Sequence, residues 1–106
     1  MDDYLFVFHG GDMPADPEEG AKVMARWGAW MEELGTAIVA PGAPVENATM
    51  VGPDSTRAPE SAQLITGYLV VKAASIETAV QLAKGCPIHE NNGTVQIARA
   101  VQFSPN

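Results

Sequence analysis

The chain has one cysteine, Cys86, so it can form no internal disulfide and its fold must hold through packing alone. It has few cations: Lys22, Arg26, Arg57, Lys72, Lys84 and Arg99 stand singly against 13 acids, giving a formal net charge of −7. Such a surface repels a phosphate backbone and an anionic bilayer alike, so neither nucleic acid nor membrane is expected as a partner. No apolar run approaches the roughly 20 residues that would span a bilayer. The sequence opens on Asp2 and Asp3 with no basic segment or apolar stretch behind them, so no export signal is expected and the cytoplasm is the expected location. Metal-ligand spacing is missing too, because His9 and His89 lie eighty positions apart and neither has a second His or Cys nearby. There is no glycine-rich phosphate loop and no Gly-x-Ser-x-Gly elbow, and no cofactor is expected.

Apolar residues make up 46% of the 106 residues and charged residues 18%, which describes a globular chain forming a single domain over 1–106. Tyr4-Leu5-Phe6-Val7-Phe8-His9 reads as a first strand, apolar at both alternating sets of positions and ended by Gly10-Gly11. Asp16-Pro17-Glu18-Glu19 is a helix start: Asp16 caps free amides, proline suits the first turn, and the two acids face the positive end of the dipole. The helix runs to Leu34 with Gly35 as its stop, and Val23, Trp27, Trp30, Met31 and Leu34 form one apolar stripe. Gly28, in mid-helix, implies close backbone packing against a sheet.

A second strand is expected over Thr36 to Val39, then bent or interrupted by Pro41-Gly42-Ala43-Pro44, and a short return strand over Ala48 to Val51. Gly52 to Gln63 reads as an irregular loop, long enough in so small a domain to be functional or mobile. Ile65 to Lys72 is a third strand, Ser75 caps a helix over Ile76 to Lys84, and Asn91-Asn92-Gly93 turns into a last strand from Thr94 to Phe103. The order is that of the ferredoxin-like βαββαβ fold, an α+β arrangement of one antiparallel sheet with two helices on one face. Its other face is apolar as well, so a homodimer that buries it is expected.

The opening strand, Arg26-Trp27-Gly28-Ala29-Trp30-Met31, Gly35 with Pro41-Gly42, Thr66-Gly67-Tyr68, and Gly85-Cys86-Pro87 together resemble the YCII-related family of small bacterial proteins. The likeness runs from about Tyr4 to Phe103. It implies a dimeric α+β barrel, in a superfamily that includes lactone isomerases, a dehydrochlorinase of hydroxylated aromatics and cofactor-free monooxygenases. Some members carry a His–Asp pair, the His on the first helix and the Asp before a proline ahead of the last strand. Met24 and Cys86 stand at those places here, so that acid–base role does not carry over. The Asp-Gly-Pro-Phe motif of another branch is also missing.

The candidate catalytic residues are His9, Arg99 and Tyr68; the candidate ligand-binding residues are Trp30, Trp27 and His89. His9, at a strand end beside two glycines, is either a proton shuttle near neutral pH or a hydrogen-bonded strand-end imidazole. Arg99 shares a strand face with apolar Val95, Ile97, Val101 and Phe103, so it requires a carboxylate, either from the protein, as in an intersubunit salt bridge, or from a ligand. Tyr68 either donates to a ligand oxygen or fills the core. Trp27 and Trp30 are helix core or pocket wall, and His89 is a turn residue or a ligand contact. Cys86 has no thiolate-stabilising neighbour in the sequence and reads as an inert thiol. Two functions follow as expectations: a cofactor-independent isomerase or lyase with His9 as base and Arg99 or Tyr68 steadying an oxyanion, or a non-catalytic module that binds a metabolite or a partner protein.

Overall fold

The computed structural model describes residues 1–12 and 14–102. Among these residues the elements run β1 (Asp2–Gly10), α1 (Pro17–Leu34), β2 (Ile38–Pro44), β3 (Met50–Val51), β4 (Thr56–Arg57), β5 (Ile65–Ala73), α2 (Ile76–Lys84) and β6 (Gly93–Arg99). Short 3₁₀ turns cover Gly35–Ala37, Ser61–Gln63 and Pro87–Asn91. The main sheet has the order β2-β5-β1-β6, all antiparallel, while β3 and β4 pair apart from it as a small hairpin. Strand order and helix placement are those of the ferredoxin-like fold, as the sequence order implies.

Local signals fix the helices. The Asp16 carboxylate accepts from the Glu19 amide at 2.8 Å with Pro17 in the first turn, and Gly35 ends α1 at φ 52° while its amide donates to the Met31 carbonyl. Ser75 caps α2 through the Thr78 amide. The strand pleat then decides burial: Tyr4, Phe6 and Phe8 of β1 and Gly67, Leu69, Val71 and Ala73 of β5 point under the helices. They form one core with Trp30, Leu34, Ala79, Ala83, Cys86 and Ile88, flanked by half-buried Trp27 and Met31. The rings of Phe6, Phe8, Trp27 and Trp30 meet at centroid distances of 5.2 to 6.5 Å.

Three expectations need correction. β2 runs past the expected Val39 to Pro44: the Pro41–Pro44 stretch bends it through irregular pairing with β5 and does not interrupt it, which an edge strand tolerates because its outer amides pair with nothing in the sheet. Gly28 is exposed, and a β-carbon there would meet open space, so it does not pack closely against the sheet. Gly28→Ala is therefore expected to stabilise the protein by about 0.5–1 kcal/mol, read as a higher urea midpoint at unchanged slope. The last strand stops at Arg99, and Phe103 lies outside the described residues.

The opposite sheet face carries Leu5, Val7, Val70, Tyr68 and His9 with no layer over it among the described residues. The molecule measures 51 × 38 × 19 Å and exposes 7410 Å², where a compact monomer of this mass would expose about 5,700 Å². No helix is long and apolar enough to cross a membrane.

Candidate functional site

A cleft of about 440 Å³ lies between α1 and the β2–β5 side of the sheet. Its walls follow from the elements. The α1 stripe supplies Val23, Trp27 and Met31, with exposed Met24 at its lip; β1 supplies the Phe8 ring and the 3₁₀ turn before β6 supplies Ile88. The irregular stretch Pro41–Pro44 and the facing Thr66–Leu69 of β5 form the other wall. β2 stands off from α1 here because Gly42, at φ 62°, lets the strand bulge, and its missing side chain lets the backbone close on the Tyr68 carbonyl.

The lining is nearly all apolar. The Thr66 hydroxyl is committed to the backbone, donating towards the Gly10 carbonyl at 2.9 Å and the Phe8 carbonyl at 3.3 Å. Asp, Glu, His, Lys and Arg contribute nothing to the walls among the described residues. Such a cleft gains from displacing water with an uncharged apolar body and penalises a charge.

The six candidate residues do not converge on it. Trp27 forms part of the wall, half-buried, edge-on to Phe8 at 5.2 Å. Trp30 lies one layer deeper, 3% exposed, and its indole N–H donates to the Leu82 carbonyl at 3.0 Å, so it is core rather than ligand contact. Tyr68 borders the cleft through β5, but the pleat turns its ring towards the helix-free face, where it is 43% exposed; a place in the core is thereby ruled out. His89 bonds the Ala83 carbonyl through Nε2 at 3.0 Å, closing the end of α2, and does not line the cleft.

His9 and Arg99 are placed apart. His9 is opposite Thr94 on β1–β6 and Arg99 is opposite Tyr4, five residues or about 17 Å along the strand, and the two project from opposite faces. Arg99 meets the Asp2 carboxylate of its own chain at 3.7 Å, both half-exposed at the sheet's end. Exposed pairs of this kind contribute at most about 1 kcal/mol. The His9 ring bonds the Gln96 side chain through Nε2 at 2.9 Å, while its buried Nδ1 has no partner among the described residues.

Sequence reasoning missed the cleft walls Met24, Met31, Pro41, Pro44 and Ile88, because apolar residues carry no sign of whether the gap beside them is filled. It also missed the ion pair at 2.6 Å between Arg26 and Glu90, which ties the 3₁₀ turn carrying Ile88 to α1. Cys86 is the inert thiol expected. Burial pushes it from its ordinary 9.0 up to about 11, against a weaker opposing hydrogen bond from the Ile88 backbone. A thiol raised on folding lends its stability below the unfolded value and loses it as pH climbs through the folded one. Stability is thus expected to fall between pH 9 and 11 by this route, less so in Cys86→Ala. Iodoacetamide at pH 8 is expected to label Cys86 only after unfolding. No three His, Cys, Asp or Glu side chains among the described residues cluster for a metal.

The protein is a small α+β domain with an apolar cleft between its first helix and its sheet. The chain matches the YCII-related domain over residues 4–104 and belongs to that family. Among solved structures it is similar to the 5-chloro-2-hydroxyhydroquinone dehydrochlorinase TftG from Burkholderia phenoliruptrix AC1100, solved in complex with 2,5-dihydroxybenzoquinone. The TM-score is 0.56 at 18% identity, covering 93% of this chain and 95% of that one, which establishes shared fold. No match was found among curated proteins.

Proposed function

We propose that this protein is a dimeric binder of a small, uncharged, largely apolar molecule of aromatic size, held in the cleft between α1 and β2–β5. The observation that carries the reading is the cleft itself: about 440 Å³, walled by Trp27, Phe8, Met24, Met31 and prolines, with no ionisable acid or base among them. Met24 stands where some family members carry the histidine of an acid–base pair, and it forms the cleft's lip. The position therefore faces a ligand here without offering it a proton-transfer group. The buried thiol at Cys86 gives no carboxylate in its place. The uncovered sheet face and a surface well above that of a compact monomer support the dimer in this reading.

The test is titration with N-phenyl-1-naphthylamine, an uncharged fluorescent probe, against wild type and Trp27→Ala. Saturable binding weakened at least about tenfold by the substitution is expected. A wild-type protein that leaves the probe's fluorescence unchanged sinks the reading. Native mass spectrometry reads the assembly in the same sample.

One observation favours a second reading, a cofactor-independent isomerase or lyase. The His9 Nδ1 is buried without a partner, and Gln96 fixes the other ring nitrogen, so the imidazole is held as a base is held. In this reading the site lies on the helix-free face with Tyr68 nearby, and is formed at the dimer seam. Its measure is turnover of hydroxylated aromatics and lactones followed by mass spectrometry. Conversion that His9→Ala abolishes and Arg99→Ala leaves intact is expected, since Arg99 is engaged elsewhere with Asp2.

A further inference from the structure

Between Pro44 and Ile65 the chain makes a long excursion, and its 3₁₀ turn at Ser61–Gln63 comes back against β1. The β2–β5 ladder ends with the Val45 amide on the Thr66 carbonyl at 3.1 Å, and residues 46–64 then bond mainly with one another. Met50 pairs with Arg57 and Val51 with Thr56, the tip is closed by the Gly52 amide on the Ser55 carbonyl at 2.8 Å, and Glu60 and Gln63 cap each other's turn. No residue from 45 to 64 is buried.

The molecule that carries this arm is longer than its main strands. Nine-residue strands such as β1 and β5 span only about 30 Å, yet the longest dimension is 51 Å. The radius of gyration is 15.3 Å, where a compact chain of this length would have about 13 Å. An isolated hairpin of two-residue strands does not hold its shape in water unaided. This one also exposes Val51 at 74% and Leu64 at 40%.

We infer that residues 45–64 form a clasp that seats on a second copy of this chain, and that the end wall of the cleft at Pro44 and Thr66 is held in place only in that pair. The inference rests on the cleft reading proposed above. Three observations select a second copy as the occupant. The surface in excess of a compact monomer, about 1,700 Å², is what one partner buries in an obligate homodimer. Every copy also carries the complementary surface, the uncovered sheet face of Leu5, Val7, Tyr68 and Val70, so two-fold symmetry buries both arms at once. Finally, the Arg57 guanidinium reaches only the Ala58 carbonyl at 3.4 Å and the Gln63 side chain at 3.5 Å. It is a cation with no carboxylate among the described residues, in a chain of 13 acids. The arm departs from Pro44 and returns at Thr66 beside two stretches of cleft wall, so whatever immobilises the arm also fixes that wall. Ligand binding and pairing are thereby linked.

Val51→p-benzoylphenylalanine, introduced into the full chain and irradiated, tests the contact. A product of twice the 11.2 kDa chain mass, with attachment to a second copy, is expected. Attachment within the same chain overturns the inference. So does the absence of any product in a sample that native mass spectrometry finds dimeric, and so does a protein that is monomeric throughout. A second variant replaces Ala48–Ala58 by Asn-Gly. Its dimer dissociation constant is expected to rise, and its affinity for N-phenyl-1-naphthylamine to fall, each by at least about tenfold, while its far-UV circular dichroism keeps the helical signal. Unchanged pairing and unchanged probe binding overturn the clasp. A wild type that forms the crosslink but binds no probe leaves the clasp standing and removes the cleft reading alone.

Discussion

Gly42→Ala is expected to cost at least about 3 kcal/mol and to abolish probe binding together with stability. Two effects add at this position. Its φ of 62° is a left-handed conformation that alanine adopts at a cost of about 1 kcal/mol. The larger effect is steric: a β-carbon there overlaps the Tyr68 carbonyl oxygen and falls 2.7 Å from the carbonyl carbon and 3.1 Å from the ring Cδ2. The colliding atoms include backbone of the central strand β5, which cannot rotate away as a side-chain tip would. The strain falls instead on β2, an edge strand already irregular at this point, and Pro41–Pro44 must lift off β5. Those residues are one wall of the cleft, so the variant loses probe binding even at temperatures where it remains folded. Urea denaturation and probe titration on one sample separate the two losses. Alanine at Gly28, where the added carbon meets nothing, is the control with the opposite sign.

The same two glycines show how far the sequence could be read. α1 and α2 were legible to the residue because their ends are local: Asp16-Pro17, Gly35, Ser75 and Lys84-Gly85 act within one turn of where they stand. Strand order was legible because the element order admits few packings. What Gly28 and Gly42 do was not, since a missing side chain signals close approach or nothing at all depending on atoms tens of residues away. For Arg99 the apolar strand face and the need for a carboxylate were legible, but which carboxylate was not, because Asp2 is brought there by the β1–β6 register. Tyr68 fell between its two readings, because alternation fixes which face it takes and cannot tell whether that face is covered. The cleft was invisible for a related reason. It is a gap between α1 and a bulged strand, and volume that no atom fills leaves no mark on the residues around it.

Trp30→Ala is expected to lower stability by about 3–5 kcal/mol, enough to unfold much of a population whose total stability lies near the low end of about 5–15 kcal/mol. Trp30 is 3% exposed and stands where the first helix, the sheet and the second helix meet, with Phe6 at 6.5 Å and Phe8 at 6.2 Å between ring centroids. Its removal opens a cavity in a core to which α2 contributes only the small side chains of Ala79 and Ala83 among its buried residues. A second loss is directional. α2 has nine residues, too few to be stable by itself, and its last carbonyls are satisfied by side chains from elsewhere: Leu82 by the Trp30 indole and Ala83 by the His89 ring. Trp30→Phe keeps most of the volume and removes only the donor. The Leu82 carbonyl still accepts from the Gly85 amide at 3.4 Å, so this variant is expected to lose about 1–2 kcal/mol, concentrated in α2. Hydrogen exchange distinguishes the two: Trp30→Phe should speed exchange in α2 ahead of β1 and β5, whereas Trp30→Ala should speed all three together. Equal acceleration everywhere in Trp30→Phe would mean that the indole bond does not hold α2, and that the tryptophan acts through volume alone.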